Sequence, residues 1–327
     1  MAEKLFLIDA MAMIYRSYFA MIGRPLKDGK GNNVSAIYGF VNAMLRILDE
    51  ENPDHIAVCF DTEKPTFRHK EFPQYKAQRA EIPDDMPWQI NEVKDIVKLY
   101  NIPMIELEGF EADDIIGTLV KQAEKEGVHS YMVTPDKDYM QLVSDKSFIY
   151  KPTKTSTGSS GGMEVVGIDG VKAKFGVAPE KVIDILGLMG DTADNIPGVK
   201  GVGEKTAIAL IQEYGSIEDL YYNIEKITKP KLKEILVRDK ANAFLAKRLV
   251  TIKTDVPLHI NFHNLTRKEP DKAALYARFE ELNMKTFARK YSAGLRFGEP
   301  IEAIERAEEE PDNDLPLRIT IQGEKIE

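Results

Sequence analysis

A short apolar run that ends on an acid recurs along this chain. Lys4 to Ile8 (KLFLI) runs into Asp9, His55 to Phe60 (HIAVCF) into Asp61, and Val128 to Thr134 into Pro135-Asp136-Lys137-Asp138. With a fourth strand-like run at 103 to 107, these segments alternate with helical patterns at about 34 to 50, 88 to 100 and 112 to 126. Such alternation predicts an α/β domain, a parallel sheet with helices on its faces. Functional groups in such sheets gather outside the carboxyl ends of the strands, which is where these acids fall.

Further acids belong to the same end of the predicted sheet. Glu111-Ala112-Asp113-Asp114 opens the amphipathic helix 115 to 125, at its electropositive end. Asp191 and Asp194 are three residues apart, so a helical turn would project both from one face. One site would therefore collect Asp9, Asp61, Glu111, Asp113, Asp114, Asp136, Asp138, Asp191 and Asp194. For any single one of them, a helix cap, a turn or a solvated charge is the commoner role. As a set they carry a physical demand. Two like charges about 4 Å apart repel by roughly 4 kcal/mol at an effective dielectric of about 20, so crowded carboxylates either protonate or hold cations. An all-oxygen donor set favours Mg²⁺ or Mn²⁺ over Zn²⁺, and two such ions would activate a water and stabilise the leaving oxygen of a phosphodiester.

The segment Gly190 to Ala207 (GDTADNIPGVKGVGEKTA) adds a grip beside that chemistry. Gly198, Gly201 and Gly203 would let backbone come within hydrogen-bond distance of a phosphate, and the predicted helix from Glu204 would aim its N-terminal amides at the same group. Lys200 and Lys205 add positive charge. The pattern is that of a helix-hairpin-helix, although glycines alone would equally make a tight turn between packed helices. A second candidate surface is Thr66 to Arg79 (TFRHKEFPQYKAQR), where Arg68, Lys70, Lys76 and Arg79 interleave with Phe67, Phe72 and Tyr75. That suits phosphate neutralisation with base stacking on unpaired strands, and on composition alone it equally suits a solvated helix.

Through LFLIDAMAMIYRSYFA, AIYGF, FDTEKPTFRHKEFPQYKAQRA, GFEADDIIGTL, TPDKDYMQLV and GDTADNIPGVKGVGEKTA, the chain resembles the 5′ nuclease domains of bacterial DNA polymerase I, within the flap endonuclease superfamily. The likeness runs from about Lys4 to Ser292. It implies a PIN-like parallel-sheet nuclease domain followed by a helical helix-hairpin-helix region, with the nine acids above as metal ligands. It implies 5′ to 3′ exonucleolysis and flap cleavage on branched or nicked duplex DNA, including removal of RNA primers. By the same resemblance, 66 to 79 corresponds to an arch over the site, where Tyr75, Lys76 and Arg79 steer the scissile strand. Arg16 becomes a phosphate contact beside Gly198, Lys200, Gly201, Gly203 and Lys205, and a K⁺ at the hairpin joins two Mg²⁺ or Mn²⁺ ions among the expected cofactors.

Composition bounds the rest. The 327 residues, 43% hydrophobic, suffice for about two domains, and no apolar run approaches the roughly 20 residues that span a bilayer. A cytoplasmic monomer is expected. Cys59 has no partner for an internal disulfide, and five scattered histidines show no zinc spacing. A net charge of −9 looks wrong for a nucleic-acid enzyme until it is located: residues 293–327 hold ten acids against four bases, which leaves residues 1–292 near −3.

The expected organisation is a nuclease domain over 1–185 with an arch at about 62–100, a helical region over 186–292, and an acidic tail over 293–327. Helices are predicted at 169–175, 179–189, 204–213, 216–223, 229–237, 239–247 and 271–290, and KTSTGSSGG (154–162) as a flexible hairpin tip. Glu302 to Asp314 reads as a linker, and Leu317 to Ile321 as the first strand of another domain; the resemblance implies a covalently linked polymerase region there, and a stand-alone nuclease with an acidic tail is the alternative. A non-catalytic module that recognises branched DNA and a PIN-type ribonuclease are the competing readings.

Overall fold

The computed structural model describes residues 2–153, 162–292 and a strand at 318–321. The sheet has strands β1 (Lys4–Asp9), β2 (His55–Cys59), β3 (Met104–Leu107), β4 (His129–Val133), β5 (Ser147–Pro152), β6 (Met163–Val166) and β7 (Arg318–Ile321), in the spatial order β6-β5-β4-β1-β2-β3-β7. Every pairing is parallel except β5 with β6. The chain steps outward from β1 through β2 to β3, then returns to lay β4 on the other side of β1. That reversal opens a crevice at the carboxyl ends of β1 and β4, the place where open α/β sheets bind ligands.

The strands β1 and β2 are buried on both faces, so apolar side chains supply two cores. On one face, α1 (Ala10–Ala20), α2 (Ser35–Arg46) and α4 (Met86–Leu99) cover Phe6, Ile8, Ile56 and Val58. On the other, α5 (Ala112–Lys125) covers Leu5, Leu7, Ala57 and Cys59, and its core continues into the helical region. The short α3 (Phe67–Glu71) lies between β2 and α4. The helical region comprises α6 (Ile168–Phe175), α7 (Val182–Met189), α8 (Glu204–Tyr214), α9 (Ile217–Tyr222), α10 (Pro230–Arg238), α11 (Lys240–Val250), α12 (Lys272–Glu281) and α13 (Lys285–Tyr291).

Several expectations are corrected. The helix expected over 271–290 is two helices, because Asn283 takes φ 56°, a left-handed conformation that ends α12 and redirects the chain. The helix expected over 34–50 ends as a regular α-helix at Arg46 and continues as a wider turn over Ile47–Glu51, closed by Asn52 at φ 46°. The stretch 62–100 divides: α4 carries Met86, Val93, Ile96 and Val97 into the core, and only the segment up to about residue 85 is available to lie over the site. The strands β5 and β6 were not expected as such; they flank the KTSTGSSGG insert, of which 154–161 lie outside the described residues, and Thr153 bonds the Gly162 carbonyl across the gap at 2.8 Å. The acidic linker also lies outside the described residues, while Arg318–Ile321 pairs alongside β3 as an added edge strand.

Candidate active site

The aspartate Asp9 ends β1 and caps α1: its Oδ1 accepts from the Ala12 amide at 3.1 Å, which leaves Oδ2 at the crevice. That oxygen accepts from the Thr134 and Tyr139 hydroxyls, each at 3.1 Å. Neither hydroxyl was singled out from sequence, although both flank the PDKD acids in TPDKDY. Asp61, just past β2, accepts from the Ala112 amide at 2.8 Å and so ties the β2 end to the start of α5. Burial, then Asp61 and Asp136, push the Asp9 carboxyl up to about 7.

Past β4, Asp136 accepts from the Asp138 amide at 2.9 Å. The Asp191–Asp194 pair sits on a tight non-helical loop, closed by the mutual backbone bonds of Asp191 and Ile196. Asp191 Oδ1 accepts from the Ala193 and Asp194 amides at 2.8 and 3.3 Å, so the two acids face one site through a turn and not through the helical spacing expected. Burial and Asp136 raise Asp138 to about 8; the protein around Asp136, with Asp194 and Asp191, raises Asp136 as well. Lys137, overlooked in the sequence, places Nζ 3.3 Å from Asp191 Oδ2.

The third group of acids is organised by a buried arginine. Arg68 is 1% exposed and donates to both oxygens of Asp114, at 2.7 and 2.9 Å, and to the carbonyls of Leu249 and Thr251. Asp114 is fully buried and also accepts from the Glu111 and Lys253 amides, so its carboxylate is committed to the interior. The expectation that Arg68 contacts phosphate is therefore wrong, since its charge is spent inside. Base stacking by the nearby aromatics fails for the same reason: Tyr75 is buried, and Phe67 packs under Arg68 and Lys253.

The segment after α3 lies directly on the acids. Tyr75 donates to Glu111 at 2.9 Å and to Asp194 at 3.2 Å. Lys76 holds φ 57°, sets Nζ 2.9 Å from Glu111 and donates its amide to the Asp194 carbonyl, while Arg79 reaches Asp194 at 2.5 Å. A lysine in the left-handed region is strained and persists only where its surroundings hold it. Burial opposes the charge on Glu111, yet Lys76 and Arg68 keep it below the usual carboxylate range. Asp113, by contrast, is raised well above it by burial, even beside Arg68. Arg16, half-buried on α1, reaches the Pro152 carbonyl at 3.5 Å and makes no other hydrogen bond or ion pair among the described residues.

At the hairpin, an added Cβ on Gly198 would meet the Gly190 nitrogen at 2.4 Å, so Gly198 serves a backbone crossing and leaves no room there for a phosphate. Gly201 has φ 97°, and Gly203 caps α8 with open space around it. Val199 and Val202 anchor the turn in the core, and Lys200 and Lys205 are exposed. Gly198→Ala is expected to destabilise the fold, measured as a lower melting temperature, whereas Gly203→Ala should leave melting within about 2 °C of the parent.

Among the described residues, no three Asp, Glu, His or Cys side chains are drawn together tightly enough to cage a metal ion as they stand, and Lys76, Lys137 and Arg79 sit among the acids. The donor chemistry nonetheless fits a hard divalent cation: oxygens only, with carboxyls at Asp9, Asp136 and Asp138 raised first by burial and then by the carboxylates beside them. A linkage follows. A carboxyl raised on folding binds more protons in the native state, so stability is greatest below its unfolded pKa and falls as pH rises to the folded one. Asp9 alone, raised from 3.8 to about 7, should cost the metal-free protein roughly 4 kcal/mol across that window. Chemical denaturation in chelator should show stability falling between pH 4 and 8, and Mg²⁺ should restore more of it at pH 8 than at pH 5.

Two family models divide the chain: the 5′-3′ exonuclease N-terminal resolvase-like domain matches residues 4–176, and the 5′-3′ exonuclease C-terminal SAM fold matches residues 177–273. The chain belongs to the 5′-3′ exonuclease family. A 5′-3′ exonuclease of Aquifex aeolicus is 37% identical over 88% of this chain and 95% of its own length. DNA polymerase I of Bacillus subtilis is 39% identical over 93% of this chain, which spans 34% of that relative; DNA polymerase I of Bacillus caldotenax is 38% identical over 89%, and the chain spans 32% of it. The chain thus covers about a third of these polymerases. In fold, this family member is similar to T5 5′-exonuclease bound to zinc (TM-score 0.63, 22% identity, 88% of this chain and 98% of that one) and to the catalytic core of Rad2 in complex with DNA substrate (TM-score 0.59, 20% identity, 89% and 93%). Among the described residues no helix is long and apolar enough to cross a membrane.

Proposed function

We propose that this 5′-3′ exonuclease family member is a divalent-metal-dependent, structure-specific nuclease that removes 5′ flaps and 5′-terminal nucleotides, RNA primers included, from branched or nicked duplex DNA. The observation that carries the reading is the meeting of acids from β1, β2, β4, α5 and the 191–194 loop at the sheet's reversal point, under a cationic segment and beside a glycine hairpin. The DNA substrate of the Rad2 complex and the metal ions of T5 5′-exonuclease are in keeping with it. Work beside a polymerase region would suit a chain that matches a third of DNA polymerase I.

Asp9, Asp61, Glu111, Asp113 and Asp136 would hold one Mg²⁺ or Mn²⁺, and Asp136, Asp138, Asp191 and Asp194 a second. Asp114 holds Arg68 and the start of α5 in place instead. When bound, such ions supply an activated water and stabilise the leaving oxygen. The protein's own groups do the positioning. Thr134 and Tyr139 fix the orientation of Asp9. Lys76 and Arg79 exchange their carboxylate contacts for the scissile strand's phosphates, and the hairpin from Val199 to Gly203 holds the duplex, where a K⁺ would join it. The site's test is the variant K76A/R79A: single-turnover cleavage of a 5′-flap duplex should fall more than about tenfold at nearly unchanged duplex affinity. Equal loss of affinity and rate would reduce both side chains to ordinary surface phosphate contacts.

A further inference from the structure

The hairpin does not stand alone on its surface. The Lys200 amide donates to Asp239 at 2.9 Å, and Arg238, bonded to Asp239 at 2.6 Å, reaches the Lys200 carbonyl at 3.5 Å. The end of α10 is thereby clipped to the turn. Ile235 faces it too, since a Cβ on Gly201 would lie 3.5 Å from Ile235 Cδ1. Leu236, the next residue along α10, is fully buried, and its carbonyl accepts from the Tyr221 hydroxyl at 2.9 Å.

Residues four apart share a helix face, so Lys231 lies one turn beyond Ile235 on the side that meets the hairpin. Lys226, Lys229 and Lys231 are all exposed, and none forms an ion pair among the described residues. Nearby acids are largely spent: Glu225 pairs with Lys233 at 2.6 Å and Asp239 with Arg238, which leaves Glu234 against three ammonium groups. Lys226 ends the short turn Ile224–Lys226 that packs on α10, Lys229 directly precedes the helix and Lys231 lies in its first turn, so three exposed ammonium groups gather at the start of the helix whose other end is clipped to the hairpin.

We propose that Lys226, Lys229 and Lys231 extend the hairpin's phosphate track along α10, so that one duplex arm is held over a longer stretch than the hairpin spans. The occupant is the sugar-phosphate backbone of duplex DNA, matched by charge and by continuity with the turn. The proposal rests on the hairpin reading above. Nine residues of helix cover about 13 Å, or roughly four base pairs at about 3.4 Å each.

The test compares K226Q/K229Q/K231Q with K200Q/K205Q on 5′-flap duplexes whose downstream arms are about six and about twelve base pairs long. Affinity is read by fluorescence anisotropy across a salt series, with circular dichroism to confirm folding. The triple variant should lose about tenfold or more on the long arm and little on the short one, with the salt slope on the long arm shallower by about 0.9 for each phosphate no longer neutralised. The hairpin variant should weaken binding to both arms. A triple variant that binds both arms as tightly as the parent, or weakens both equally, overturns the extension while K200Q/K205Q still reports on the hairpin. A hairpin variant without effect overturns the hairpin reading itself.

Discussion

Asp136→Asn is expected to lower single-turnover cleavage by roughly three orders of magnitude or more while flap-duplex affinity stays within about twofold. Asn keeps the side-chain oxygen that accepts from the Asp138 amide, so the loop retains its form. It also removes a charge that Asp191 and Asp194 oppose, so the metal-free variant should melt no lower than the parent. The combination separates chemistry from folding. Near-parental turnover by this variant would contradict its role as a shared ligand, and a collapse in duplex affinity would mean that Asp136 organises the binding surface instead.

Arg68→Ala is expected to destabilise the protein by about 3–5 kcal/mol, because Asp114 would be left buried and without its cationic partner. Denaturant melts would read the loss. Arg68→Lys should recover only part of it, since an ammonium cannot bond both Asp114 oxygens and the Leu249 carbonyl in one plane. The double change R68M/D114N should be milder than Arg68→Ala alone, because no unpaired charge stays inside. If Arg68→Ala melted with the parent, the guanidinium would have to be serving substrate, as its place among Lys70, Lys76 and Arg79 suggests from sequence.

That contrast marks where sequence reading succeeds and stops. Strand-end acids were legible because a buried parallel strand is a continuous apolar run and its first polar residue lies at the sheet's edge, as Asp9 and Asp61 do. The glycine-punctuated turn was legible for a similar local reason, with Gly201 taking the left-handed φ that its residue type allows. Burial of charge was not legible. Nothing local separates Arg68 from Lys70 on a five-residue helix, and only the arrival of Asp114 and the 249–251 carbonyls from distant segments decides which one goes inside. Hydroxyl support escaped notice likewise, because Thr134 and Tyr139 matter only through their approach to Asp9 across more than 120 residues. Gly198 misled in the opposite direction, as its missing Cβ makes room for Gly190 and not for a ligand.

One titration decides whether the acids at the crevice cut a phosphodiester with the help of divalent ions. A 5′-labelled flap duplex at saturating protein is followed in chelator and then across a Mg²⁺ series. The expected result is no cleavage in chelator, cleavage that rises with Mg²⁺ more steeply than first order, and a released 5′-labelled strand cut near the junction. Cleavage unaffected by the chelator would contradict the metal assignment, and tight flap binding without cleavage at saturating Mg²⁺ would make the chain a recognition module with an idle site.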